Sequence, residues 1–161
     1  MKKSEEYKCL AAVRIRGTIK ASKKVRETLQ MLNLTRTNQA VLLDNRPSFL
    51  GMLRKAQNYV TWGEVSKEIV ETMLEKRGRL TGDKSLTVEY AQKLGWKSYA
   101  ELAKAIFDGH LQYRDLPDVK PFFRLHPPSR GFKGKVRKSY GMHGEVGYRG
   151  KEINELIRRM A

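Results

Sequence analysis

Cys9-Leu10-Ala11-Ala12-Val13-Arg14-Ile15-Arg16 opens the stretch whose reading decides the fold. Successive strand residues point to opposite faces of a sheet, so Cys9, Ala11, Val13 and Ile15 are expected on one side and Arg14 and Arg16 on the other. The first side belongs to a core; the second is expected to meet water or a polyanion. Ser22 is placed to cap a helix carrying Val25, Leu29 and Leu32 at i, i+4 and i+7 and ending near Asn33. Gln39 to Asp44, with its Ala-Val-Leu-Leu run, reads as a second strand. Asn45-Arg46-Pro47 reads as a turn, and Pro47 suits the first position of a short helix whose apolar stripe is Phe49, Leu50 and Leu53. Tyr59 to Val65 is a third strand. This β-α-β-α-β order predicts a small α/β sandwich with helices on a sheet face.

Outward from that unit the texture changes twice. Ser66 to Arg77 is helical, with Ile69, Val70, Met73 and Leu74 on one side, Lys76 and Arg77 in the last turn and Gly78 as a stop. Thr87 to Leu94 is a short helix closed by Gly95. Ser98-Tyr99-Ala100-Glu101 reads as a capping box opening a helix through Phe107 that Gly109 closes. Phe122 to Leu125 has the character of a short strand, and Pro127 to Gly150 is rich in glycine and cations without periodicity. Ile153, Leu156, Ile157 and Met160 restore a helical stripe at the end. The expected organisation is a core over 1–65, a helical segment over 66–118, and a basic loop with a C-terminal amphipathic helix over 119–161, all packed as one domain.

With 161 residues the chain can bury about 68–70% of its unfolded surface. It carries 33 Lys plus Arg against 17 Asp plus Glu, a formal charge of +16, yet 40% of its residues are hydrophobic, so the charge decorates a folded body. Cys9 stands alone and cannot form an intramolecular disulfide. His110, His126 and His143 are scattered, so no metal site and no cofactor are expected, and the setting is read as reducing and cytoplasmic. The apolar run from Cys9 is cut at Arg14, too short for a signal-peptide core, and no stretch approaches the roughly 20 apolar residues of a membrane helix. A basic domain of this kind points to nucleic acid, ahead of an anionic membrane surface.

Two segments concentrate the charge. From Val119 to Lys151 nine Lys/Arg face one acid, Glu145, a local balance of +8. There Arg130, Lys133, Lys135, Arg137, Lys138 and Arg149 alternate with glycines and with Phe132, Tyr140 and Tyr148. Cations neutralise phosphates, aromatic rings stack on unpaired bases and glycines admit close backbone approach, so this mixture suits RNA. The plainer reading is a solvated basic loop whose aromatics pack back on the domain. The second cluster is Arg14, Arg16, Lys20, Lys23, Lys24 and Arg26, within 13 positions. Lys23 and Lys24 fall in a first helical turn, where the dipole favours acids, so a phosphate contact is expected to explain them. Arg54 and Lys55 end a helix, where cations are favoured for structural reasons as well.

Enzyme signatures are missing. Gly131-Phe132-Lys133-Gly134-Lys135-Val136 lacks the spacing and hydroxyl of a phosphate-binding P-loop, and neither Gly-x-Ser-x-Gly nor His-Glu-x-x-His occurs. Helices 87–94 and 98–107 invite a helix-turn-helix reading. The later apolar positions of that motif fall on Glu101 and Lys104, however, while the real stripe is Leu102, Ala105 and Ile106, so the pair is expected to serve packing.

Three ordered blocks carry a resemblance. Thr28-Leu29-Gln30-Met31-Leu32-Asn33-Leu34, Asn38-Gln39-Ala40-Val41 and Gly51-Met52-Leu53-Arg54-Lys55 before Tyr59-Val60 make up the first, spanning about residues 9–65. Phe123-Arg124-Leu125-His126-Pro127-Pro128 with Arg130-Gly131-Phe132-Lys133 is the second. Gly147-Tyr148-Arg149 followed by Ile153-Asn154-Glu155-Leu156-Ile157-Arg158-Arg159-Met160 is the third. Together they resemble the large-subunit ribosomal protein L-thirty family in its longer archaeal form, whose eukaryotic counterpart is called L-seven. The chain departs from the eukaryotic form at His143-Gly144-Glu145-Val146, where that form has a doubled glycine. Only Lys2, Lys3 and Lys8 stand for its basic N-terminal tail, which favours the archaeal type.

The resemblance implies a ferredoxin-like β-α-β-α-β sandwich whose three-stranded sheet carries helices on one face, with a helical insertion and a basic C-terminal extension. It implies a non-catalytic constituent of the large ribosomal subunit that binds large-subunit ribosomal RNA, with the small RNA of that subunit as a second candidate and neighbouring ribosomal proteins as further partners. No membrane and no small-molecule substrate are implied. Arg16, Arg54 and Lys55 match the shared core, and residues 130–149 match an RNA-facing extension. A DNA-binding regulator and a small RNA-processing enzyme stand as the alternatives.

Overall fold

The computed structural model describes residues 8–161, so Lys2 and Lys3 lie outside the described residues. Strand β1 (Cys9–Arg14) runs between β2 (Gln39–Asp44) and β3 (Val60–Glu64), antiparallel to both, with Cys9 opposite Asp44 and Leu10 opposite Glu64. Helices α1 (Lys23–Met31) and α2 (Pro47–Lys55) connect them, as expected.

The sheet then grows at both edges from residues far along the chain. Strand β4 (Phe123–Arg124) joins β2 antiparallel, with Phe123 opposite Ala40. Strand β6 (Gly144–Tyr148) joins β3 in parallel, with Gly147 opposite Thr61, and β5 (Lys135–Ser139) lies outside β6. The described residues thus form a six-stranded sheet in the order β4-β2-β1-β3-β6-β5, and the expected three strands are only its middle. The aperiodic segment 127–150 holds two strands that lack an apolar alternation, because one is charged and the other has two glycines among its five residues.

Helices cover both faces, which corrects the one-sided expectation. Leu10 and Ala12 of β1 pack with Leu29 and Leu32 of the α1 region and with Phe49 and Leu53 of α2. Cys9, Ala11 and Val13 pack into a larger core on the other face. That core includes α3 (Lys67–Arg77), α4 (Val88–Lys93), α5 (Tyr99–Phe107) and α6 (Ile153–Met160). Because β1 is apolar in both of its alternating sets, either face left wet would expose apolar area at roughly 25 cal/mol per Å². The Cys9 thiol sits in this larger core, and burial, with a smaller effect of Asp44, pushes its pKa up to about 12.

Local signals explain where the helices start and stop. Ser22 Oγ accepts from Val25 N at 3.3 Å, and Ser98 Oγ accepts from Glu101 N at 3.4 Å. The Glu101 carboxylate accepts from Lys97 N at 2.8 Å, one residue before the partner a capping box predicts. Gly78 stops α3 at φ −62, not in a left-handed turn; a Cβ there would lie 2.9 Å from the Leu86 Cβ. Ala91 of α4 and Leu102, Ala103, Ala105 and Ile106 of α5 are buried, so this helix pair turns its apolar stripe into the core. No helix among the described residues is long and apolar enough to cross a membrane.

Candidate nucleic-acid interface

Arg14 ends β1 and is 6% exposed, so it does not face a polyanion as expected. Its Nε donates to Arg16 O at 3.0 Å, its Nη1 to Leu34 O at 3.2 Å and its Nη2 to Thr18 Oγ1 at 2.9 Å. Burial lowers the guanidinium pKa from its ordinary value. Those bonds shape the loop that leads into α1, and the loop displays the next cations. Arg16 is half-buried, with its guanidinium 5.2 Å from the centroid of the Tyr59 ring and its Nη1 donating to Asn58 O at 3.0 Å. Lys20, Lys23 and Lys24 are exposed. Lys23 Nζ lies 3.8 Å from Glu27, an exposed pair of little energetic weight. The α1 start offers fewer free N–H groups than expected, since Ser22 takes that of Val25.

The second segment is built around Arg149, 7% exposed, which is likewise corrected from surface contact to internal brace. Its Nη2 donates to Glu145 Oε2 at 2.7 Å and Glu145 O at 2.5 Å, and its Nε donates to Thr61 Oγ1 at 2.7 Å. Glu145 Oε1 accepts from Gly134 N at 2.7 Å, and Thr61 Oγ1 donates to Gly147 O at 2.8 Å. The single acid of this region therefore ties the approach to β5 onto β6, and β6 onto β3. Gly144 has no room for a side chain, because a Cβ would come within 1.8 Å of Lys138 O. On this frame Arg130, Lys135, Arg137 and Lys138 are exposed. Lys133 is exposed too and pairs with Glu155 at 2.5 Å, and this hydrogen bond holds the Glu155 carboxyl below the usual range.

The three aromatics part company. Phe132 is half-buried against the larger core, the plainer alternative for a basic loop. Tyr140 is exposed and lies under the Arg149 guanidinium, 4.9 Å from CZ to ring centroid. Tyr148 is exposed, but its hydroxyl donates to Glu64 at 2.6 and 2.7 Å, which raises its pKa to about 12.

A groove of about 430 Å³ joins the two basic segments at the C-terminal end of β1. Arg16 and Lys20 come to it from the loop after β1, and Arg137 comes from β5, with no carboxylate among its lining residues. Arg54 does not belong to it: with Tyr148 and Glu64 it lines a separate hollow at the other end of β1 and β3, and Lys55 is exposed at the end of α2. Ile19, Tyr59 and Val136 line the groove without having stood out as site residues. Ile19 had a local signal, an apolar side chain amid polar and basic loop residues. Among the described residues no group of three or more His, Cys, Asp or Glu is placed to hold a metal ion.

Fold and groove together define an α/β protein that turns unopposed positive charge from two distant segments to one side. The family model described as Ribosomal protein L30p/L7e matches residues 10–60. Proteins described as large ribosomal subunit protein uL30 match nearly the whole chain. That of Thermofilum pendens is 46% identical over 149 residues, 92% of this chain and 96% of that protein. That of Methanopyrus kandleri is 45% identical over 148 residues, 91% and 99%. That of Ignicoccus hospitalis is 48% identical over 150 residues, 92% and 94%. The chain belongs to the ribosomal protein L30p/L7e family, in its archaeal form.

Proposed function

We propose that this chain is a structural, non-catalytic constituent of the large ribosomal subunit in the cytoplasm and that it binds ribosomal RNA through its two basic segments. The observation that carries the RNA contact is the groove: Arg16 and Lys20 meet Arg137 across more than a hundred residues of sequence with no acid between them. In this reading residues 1–65 form the founding unit, 66–118 cover the second sheet face, and 119–161 add the RNA-facing extension. Arg16, Lys20, Lys23, Lys24, Arg130, Lys133, Lys135, Arg137 and Lys138 approach phosphates, and Arg54 and Lys55 serve a lesser contact. Arg14 and Arg149 hold the two displays in shape. Partners are large-subunit RNA, the small RNA of that subunit and adjacent ribosomal proteins.

Each neutralised phosphate releases counterions, so affinity for RNA falls steeply as salt rises. Charge reversal of Lys133, Lys135, Arg137 and Lys138 to Glu together is expected to abolish most binding and to keep the protein out of the large-subunit peak in a sucrose gradient. Normal comigration of that variant would overturn the contact.

A further inference from the structure

The groove contains more than a seat for phosphates needs. Its floor is Ile15, 5% exposed, and beside it the Tyr59 ring carries the Arg16 guanidinium, which its bond to Asn58 O holds in place. At its rim stands Ile19, which at 96% is the most exposed large apolar side chain among the described residues. An isoleucine so exposed contributes no apolar burial to folding, and one such residue alone would mean nothing. Here it borders a cavity that also offers a stacked arginine–tyrosine pair and the cations Lys20 and Arg137. The volume lies within the roughly 300–1,000 Å³ of small-ligand clefts.

We infer that this groove receives one unpaired nucleobase of the bound RNA. The base stacks beside Arg16 and Tyr59, Ile19 covers its apolar edge, and Lys20 and Arg137 take the flanking phosphates. The inference rests on the RNA reading above and narrows it from a charged surface to a surface that selects an unstacked base. Stacking on aromatic rings and guanidinium planes accepts any base, since every base has a π-face, so the selection is for an unpaired nucleotide and not for a sequence. Ile19 then gains the burial that the protein alone denies it.

The test uses the full chain and two RNA hairpins that differ only in a single bulged 2-aminopurine, titrated by fluorescence anisotropy at several salt concentrations. The bulged hairpin is expected to bind about tenfold tighter, as one stacked base allows, with a change in 2-aminopurine emission on binding. Ile19→Ser, at a site where the fold is not at stake, should erase that preference and leave the salt slope unchanged. Lys20→Gln should keep the preference and flatten the log–log slope by about 0.9. Equal affinity for both hairpins with a steep salt slope, or a preference that survives Ile19→Ser, overturns the base seat and leaves the RNA reading standing. Failure of either hairpin to bind in a salt-dependent way overturns both.

Discussion

The two basic segments are each held by a buried arginine, and the two arginines are held differently. Arg14 makes its bonds with two backbone carbonyls and the Thr18 hydroxyl, without a carboxylate. Arg149 pairs with Glu145, both side chains nearly fully buried. The surroundings explain the contrast. The loop after β1 is anchored at one end by a central strand and at the other by a capped helix, so neutral acceptors suffice to fix it. Residues 130–149 have few apolar side chains, and an ion pair does the work that packing cannot. The pair is neutral as a unit, so the +8 of residues 119–151 resides entirely in the eight other cations.

Arg149→Ala strikes the contrast hardest. It leaves Glu145 buried without its partner and is expected to destabilise by about 3–5 kcal/mol in urea denaturation, with Glu145→Gln in the same background recovering part of the loss. Arg14→Ala should cost less, about 1–3 kcal/mol, because carbonyls and a hydroxyl lose donors but no opposite charge is stranded. If Arg14→Ala proved the more damaging, the distinction between the seats would be wrong. Ser22→Ala, which uncaps the helix bounding the first loop, should lower stability by about 1 kcal/mol by the same measurement.

The smallest effect concerns pH. Tyr148 has a folded pKa raised by its hydrogen bond to Glu64. Its contribution is therefore complete below roughly pH 10, the free tyrosine value, and is lost as pH rises towards about 12. Spectrophotometric titration should find Tyr148 among several tyrosines that ionise late, since burial also raises Tyr90, Tyr99 and Tyr113, and Tyr148→Phe should reduce the late absorbance change by one tyrosine.

What was legible in the sequence follows from how local each signal is. Ser22 and Ser98 mark helix starts because a cap acts within three residues, and Pro47 does so because its fixed φ suits a first helical turn. Strands β1 and β2 show as apolar runs, while β3 shows only Val60 and Trp62 amid smaller and polar residues. Arg14 and Arg149 read as surface cations in sequence because burial of a charge depends on distant partners, Leu34 for one and Thr61 for the other. Strand β6, Gly-Glu-Val-Gly-Tyr, has neither alternation nor β-branched density, and its pairing with β3 on one side and β5 on the other makes it a strand. The groove was invisible for a similar reason: its cations were each recognised, but their meeting depends on β5 being added beyond β6.

That outermost position of β5 has a further consequence for the protein before it meets RNA. A terminal strand offers unpaired backbone groups to any other chain, which invites self-association. Lys135, Arg137 and Lys138 stand on that strand, so two copies approaching edge to edge repel. The charges proposed for assembly thus also act as gatekeepers during the interval between synthesis and assembly. Neutral replacements such as Ser would remove the repulsion, whereas Glu replacements would preserve it with opposite sign.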